Sequence, residues 1–224
     1  MSETIITVTG TASMHRSPER ATAALTLGFE GEDKESVLEL TKQLHAEISG
    51  GLRALHDPVA DAVTRWSADQ VSVWGQRPWS PDGTRLAPVY HATTRVTARF
   101  RDITALATWV DTVALKDGVT VDSVTWSLTA TTDAALVADT QANAIRAARS
   151  KAEGYAAALG LSHVRALAVA DPGMLTNGEA GGPPVGALRL MSHEMGKSSG
   201  PAFELTPADI TISATVDARF AASA

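Results

Sequence analysis

Apolar and polar residues alternate at the start of the chain, and the period of that alternation changes along it. Ile5–Thr11 predicts a first short strand. Ser17–Arg20 carries a proline turn signal, and Ala21–Glu30 predicts a second strand with Ala23, Leu25, Leu27 and Phe29 on one face. A period of two marks a half-buried sheet. From Lys34 to Leu55 the period lengthens: Leu40, Leu44, Ile48, Leu52 and Leu55 form one helical stripe. His56-Asp57-Pro58 ends that helix, and Gly50-Gly51 inside it is a weak point where a kink is expected. Trp66–Gly75 and Ala87–Phe100 predict two antiparallel strands around the loop Arg77–Gly83. In the second of them Tyr90, Ala92, Thr94, Val96, Ala98 and Phe100 share the less polar face. Asp102–Leu115 predicts a short helix through Ile103, Leu106, Ala107, Val110 and Val113, and Val119–Thr129 a strand through Val124, Trp126 and Leu128.

The alanine-dense stretch Asp139–Gly160 predicts a long helix, capped at its start by Thr131 or Thr132 and at its end by Gly160. Ala138, Ile145, Ala152 and Leu159 recur every seven residues and are read as its buried stripe, with Tyr155 beside them. Val164–Ala170 follows as a strand. Asp171–Pro207 then breaks all periodicity, with five of the ten prolines and seven of the seventeen glycines. Inside it the run Val185–Met191 is mostly apolar. The final strand alternates without a fault: Ile210, Ile212, Ala214, Val216, Ala218 and Phe220 inward, Thr211, Ser213, Thr215, Asp217 and Arg219 outward. The element order ββαββαβαββ is not a strict βα alternation. It favours the α+β class, a mixed and mostly antiparallel sheet packed by two long helices and one shorter helix. The repeated strand–helix–strand unit leaves a weak internal duplication open.

The 224 residues suit one large domain or two small intertwined halves. The reading taken is a single domain over residues 1–224 with a Pro/Gly-rich arm at 171–207. There are no cysteines, so disulfides, thiol nucleophiles and thiolate metal sites are excluded. Net charge is −6, from 19 basic and 25 acidic side chains, which argues against nucleic acid as a partner. No window approaches the roughly 20 apolar residues of a membrane span, so no membrane insertion is expected. MSETIITVTG lacks the positive start and apolar stretch of a secretion signal. The expected location is cytoplasmic, or periplasmic or secreted if a leader has been removed.

The blocks ITVTGTA (Ile6–Ala12), ATAALTLGFEG (Ala21–Gly31), YHATTRVTARFRD (Tyr90–Asp102), NAIRAARSKAEGYAAALGL (Asn143–Leu161) and PADITISATVDARF (Pro207–Phe220) occur in an order that resembles the SIMPL-domain family. That bacterial family is also known as a domain of unknown function. It includes periplasmic immunogenic proteins and an oxidative-stress defence protein. The resemblance implies an α+β fold, ring- or channel-like homo-oligomers for some members, and a link to stress response. It supplies no catalytic residues.

Nothing in the chain spells out a catalytic site. His45 and His56 share a helix face but sit three turns apart, too far to hold one ion. His193-Glu194 begins like a zincin, but the run HEMGK lacks the second histidine. The histidines are read as surface residues. Ser192-His193-Glu194 are neighbours in sequence, which does not make a triad. Gly178–Gly186 lacks the lysine of a phosphate loop, and Gly196-Lys197-Ser198 lacks its leading glycine. Glu32-Asp33 is read as a helix-start acid pair, and Arg146, Arg149 and Lys151 as a solvated face. No catalytic, cofactor or metal residues are assigned, and no cofactor is expected.

The candidate interaction residues are Trp74 and Trp79, which flank the Pro-rich loop, and Val185, Leu188, Leu190 and Met191 in the apolar run. For the two tryptophans, packing within the core or the loop is the competing reading. For the apolar run, it is folding back on its own domain instead of docking on another chain. The expected function is a non-enzymatic, self-assembling structural or binding protein, more than a dimer, associated with stress protection. The alternative is an enzyme with an unrecognised site.

Overall fold

A computed structural model describes residues 3–57, 59, 62–82, 84–175 and 207–224. Their elements run in the order β1 (Thr4–Arg16), β2 (Arg20–Gly31), α1 (Lys34–Ala54), β3 (Val63–Ala68), β4 (Ser72–Gln76), β5 (Val89–Phe100), α2 (Ile103–Ala114), β6 (Val119–Ser127), α3 (Ala130–Ala158), β7 (His163–Ala170) and β8 (Ile210–Ser223). The class is α+β, and the strands divide between two antiparallel sheets. The described chain forms two compact units. The first joins residues 3–17, 128–175 and 208–224, so it is made from both ends of the chain. The second comprises residues 18–127 with Pro207.

In the first unit β8 lies between β1 and β7. β1 and β8 stay in register from Thr4↔Ala222 to Arg16↔Ile210 without a bulge. The inward set read from the last strand is the buried one: Ile212, Ala214, Val216, Ala218 and Phe220 are all buried. They meet Ile6, Val8 and one side of α3. That side shares only Ala152 with the expected stripe. Ile145 is 41% exposed and Leu159 63% exposed, whereas Thr140, Ala144, Ala148, Ala152 and Ala156 are buried. Two physical causes act. A step of four residues winds the stripe by about 40° each time, which lets the helix follow a twisted sheet. The helix also lies almost in contact with the strand backbone. A Cβ on Gly10 would sit 2.5 Å from the Ala148 nitrogen and still closer to the Ala144 carbonyl oxygen. Only alanine and glycine fit such an approach, so Ile145 and Leu159 are forced to the flanks.

This closeness predicts the result of one substitution. Gly10→Ala lowers the unfolding free energy by about 2 kcal/mol or more, because the displaced neighbours are helix backbone. Gly154→Ala on the open side of α3, where a Cβ meets nothing within 4 Å, raises it by about 0.5–1 kcal/mol. Denaturant titration of the two variants checks both signs.

The ends of α3 follow from local hydrogen bonding. Thr129, not Thr131 or Thr132, is the N-cap, and its Oγ1 accepts from the Thr132 N–H. At the other end Gly160, at φ +75°, lets its own N–H donate to Ala157 O and that of Leu161 to Ala156 O. These two bonds satisfy carbonyls that the helix end leaves open.

The second unit has the strand order β3-β5-β2-β6, with β4 also paired to β5. Leu25, Leu27, Val96 and Phe100 on one sheet face meet Leu52 of α1 and Leu106 and Val110 of α2. The predicted strand Trp66–Gly75 is two strands, because the chain turns aside at residues 69–71. There the Asp69 N–H donates to Arg95 O, and the Thr94 hydroxyl donates to Asp69 O. The helix α1 runs unbroken through Gly50-Gly51. Leu40 and Leu55 at the ends of its expected stripe are exposed. Val37 and Thr41 are buried in the first turns instead, with the Thr41 hydroxyl placed to donate to Val37 O and Ala92 O.

Asp33 caps α1, as an acid at a helix start should. The Ser36 N–H donates to its Oδ1 at 2.7 Å, and this bond holds the carboxyl below its ordinary range. A lowered folded value means that the cap's contribution is present above the unfolded value. It is lost as pH falls through the folded one. The Ser36 amide resonance should therefore titrate with acid, and should stay still in Asp33→Asn.

Candidate functional site

The register of the second sheet builds a row of three polar and aromatic side chains. Trp74 of β4 faces His91 of β5, and His91 faces Glu30 of β2. The Trp74 and His91 rings stack at 5.3 Å between centroids, 15° from parallel. His91 Nδ1 lies 3.3 Å from Glu30 Oε2. In the next row Tyr90 lies across Gly75, whose missing side chain makes room: a Cβ there would sit 2.9 Å from the ring. Trp74 is 43% exposed, so the row presents an aromatic surface backed by an imidazole and a carboxylate. Trp79 is 84% exposed, which makes it a surface residue and not a core one. No ring contact joins it to Trp74 among the described residues. Trp109 is buried against Phe100, Trp126 is half-buried, and Arg53 lies over the Trp66 ring at 5.9 Å. Val185, Leu188, Leu190 and Met191 lie outside the described residues.

The family follows from the length of chain that one model explains. The model of the SIMPL family, described as a protein of unknown function (DUF541), matches residues 6–220. The chain belongs to the SIMPL family. No curated protein gives a match. The two ends of the SIMPL match are themselves partners, since Ile6 pairs with Phe220 across β1 and β8. The family pattern thus begins and ends on one rung of the first unit's sheet and takes in the whole second unit.

On the outward face of the SIMPL chain's first unit, Asp217 is a junction. Thr9 Oγ1 donates to its Oδ1 at 2.7 Å and the Gly173 N–H to its Oδ2 at 2.8 Å. Arg219 donates to Leu175 O at 2.9 Å. Together they tie the end of the described 171–175 turn to β8. Beside this junction is a concavity of about 370 Å³, lined by Thr7, Val8 and Thr9 of β1, Lys151 and Tyr155 of α3, Leu175 and Asp217. Lys151 and Tyr155 are one helical turn apart, so α3 presents both from the same flank. Lys151, read from the sequence as part of a solvated face, lines a recess.

Among the described residues no group of three or more His, Asp and Glu is placed to hold a metal ion. No described helix is long and apolar enough to cross a membrane. The surface reading of the histidines needs one correction. Among the described residues His45 Nε2 is buried on α1 with no hydrogen-bond partner, as is Ser49 Oγ one turn on. Periodicity points to this in hindsight, since His45 adjoins the buried Leu44.

Proposed function

We propose that this SIMPL protein is a non-enzymatic structural or binding protein that works as a homo-oligomer of more than two copies and contributes to stress protection. The observation that carries the assembly reading is the edge of the first unit. β1 extends over 13 residues, and among the described residues it pairs with β8 alone. Among the described residues the other side of its backbone donors and acceptors has no strand partner, and such an edge can take another strand. Exposed Tyr155 and Leu159 lie on the same unit and add apolar surface. Light scattering at micromolar concentration tests this part, and a stable monomer defeats it. The stress part rests on the resemblance to an oxidative-stress defence protein. Peroxide survival of a strain lacking the chain tests it.

A second reading, an enzyme, draws on the recess that gathers Lys151, Tyr155 and Asp217. Its weakness is chemical. Both Asp217 oxygens already accept hydrogen bonds, from Thr9 and from Gly173, which is the pattern of a structural carboxylate.

A further inference from the structure

We infer that the edge of β1 that has no strand partner among the described residues takes the β1 of a second copy, antiparallel and centred on Gly10, so that two three-stranded sheets become one of six strands. The inference rests on the homo-oligomer reading and names its surface.

The argument starts from how sheet edges are protected. Exposed edge strands are guarded by charge, proline, bulges or shortness, since each spoils pairing with another chain. β1 has none of these over most of its length. From Thr4 to Met14 it carries no charged residue and no proline, and its register with β8 is unbroken. The other edges differ. β7, on the far side of the same sheet, is shorter, carries Arg165 and is irregular between Ala166 and Ala168. In the second unit β3 is six residues long with Arg65 and a register shift, and β6 carries Asp122 and pairs across a shift at Ala24/Leu25.

Beside β1, Lys151 and Tyr155 on the flank of α3 share a recess with Thr7, Val8 and Thr9, with Leu175, and with Asp217 of β8. The second copy's β1 makes its backbone bonds to the edge and keeps Ile6 and Val8 under its own α3, so the two helices come to lie side by side. Tyr155 and Leu159, one turn apart, offer apolar surface on that flank.

The sequence of β1 selects its own copy, and the antiparallel direction. Pairing centred on Gly10 sets the residues from Ile6 to Met14 opposite ones of like character, while Ile5 meets His15 and Thr4 meets Arg16 at the two ends. Val8 meets Ala12 of the second copy, Ile6 meets Met14, Thr9 meets Thr11 and Thr7 meets Ser13. Gly10 meets Gly10, so no side chain stands at the two-fold axis. Cross-strand pairs of like polarity are the ones that stabilise a sheet. The charges lie at the ends: Glu3, whose Oε1 lies 3.4 Å from Arg165 of its own chain, precedes the strand and Arg16 closes it. Antiparallel pairing brings the acidic end of one copy to the basic end of the other. Parallel pairing in register would set Arg16 on Arg16. The two-fold contact closes at two copies, so it supplies the dimer step of the assembly and a larger oligomer needs a second contact elsewhere on the chain.

Thr11→Lys tests the pairing. Thr11 is exposed on the face away from α3, so lysine is tolerated in the single chain. In the pair it sets two like charges diagonally across the axis. The expected result is a native mass halved or lower, with the circular dichroism melt of the fold retained. A parent that is oligomeric and a Thr11→Lys variant of equal mass overturn the pairing and leave the assembly reading standing. A monomeric parent overturns both. Because the chain has no cysteine, Thr11→Cys gives a second readout that does not weaken the contact. A short thiol-to-thiol crosslinker should join Thr11→Cys chains into dimers and leave Leu167→Cys chains, on the β7 edge, single. Crosslinking of Leu167→Cys alone overturns the inference, even if Thr11→Lys fails to fold.

Discussion

Replacing Phe100 by alanine should lower the unfolding free energy of the second unit by about 3–5 kcal/mol. Phe100 is fully buried and stands at the end of β5 opposite Ala21 of β2 and Val63 of β3. Its ring lies 5.3 Å from that of Trp109, tilted by 42°. The neighbours at this point are two strands and a helix that hold each other, so the space left by the phenyl group closes only in part. The lost transfer energy and the residual cavity then add. The readout is clean because Trp66, Trp74, Trp79, Trp109 and Trp126 all belong to residues 18–127. Tryptophan fluorescence therefore reports the second unit by itself. A denaturation midpoint equal to the parent's would show that Phe100 is not at the centre of that core.

Val216→Asp should cost about 4 kcal/mol or more in the first unit, since it places an unpaired carboxylate among apolar side chains. Val216 is buried opposite Gly10, on the face that α3 covers. The next residue shows how sharply a strand separates its faces. Asp217 carries the same charge harmlessly, because it points the other way and is bonded by Thr9 and Gly173. No tryptophan lies in the first unit, so the loss is followed by far-ultraviolet circular dichroism. A variant that melts like its parent would mean that the two faces of β8 have been exchanged.

The particular elements show which features a sequence makes legible. Strand β8 was fully legible, because strict alternation leaves one choice of face once one side is apolar. The helices α1, α2 and α3 were legible as helices, and the α+β class with them. The buried side of α3 was not. Its contact residues are alanines, which apolar periodicity weighs little, and the bulky Ile145 and Leu159 drew the reading to the flanks. The break between β3 and β4 was hidden because residues 69–71 contain no glycine or proline. The sites were less legible still. Trp74 was singled out, but its partners His91 and Glu30 lie on two other strands, and only the register places them in one row. The junction of Thr9 with Asp217 spans 208 positions, and no local pattern announces it.

That span governs the order in which the molecule is made. A ribosome produces β1 well before β8, with residues 17–209 made between them, yet in the finished sheet β1 has no strand neighbour but β8 among the described residues. The second unit can close as soon as residue 127 has emerged, whereas β1 waits until Ile210 and the residues after it are made. Throughout that wait an uncharged, β-branched segment hangs from the nascent chain with its pairing groups bare on both sides. Neighbouring polysomes carrying the same message would bring identical copies of it together before the proper partner exists. Slow synthesis, or truncation shortly before Ile210, should therefore yield aggregates even where residues 18–127 are soundly folded.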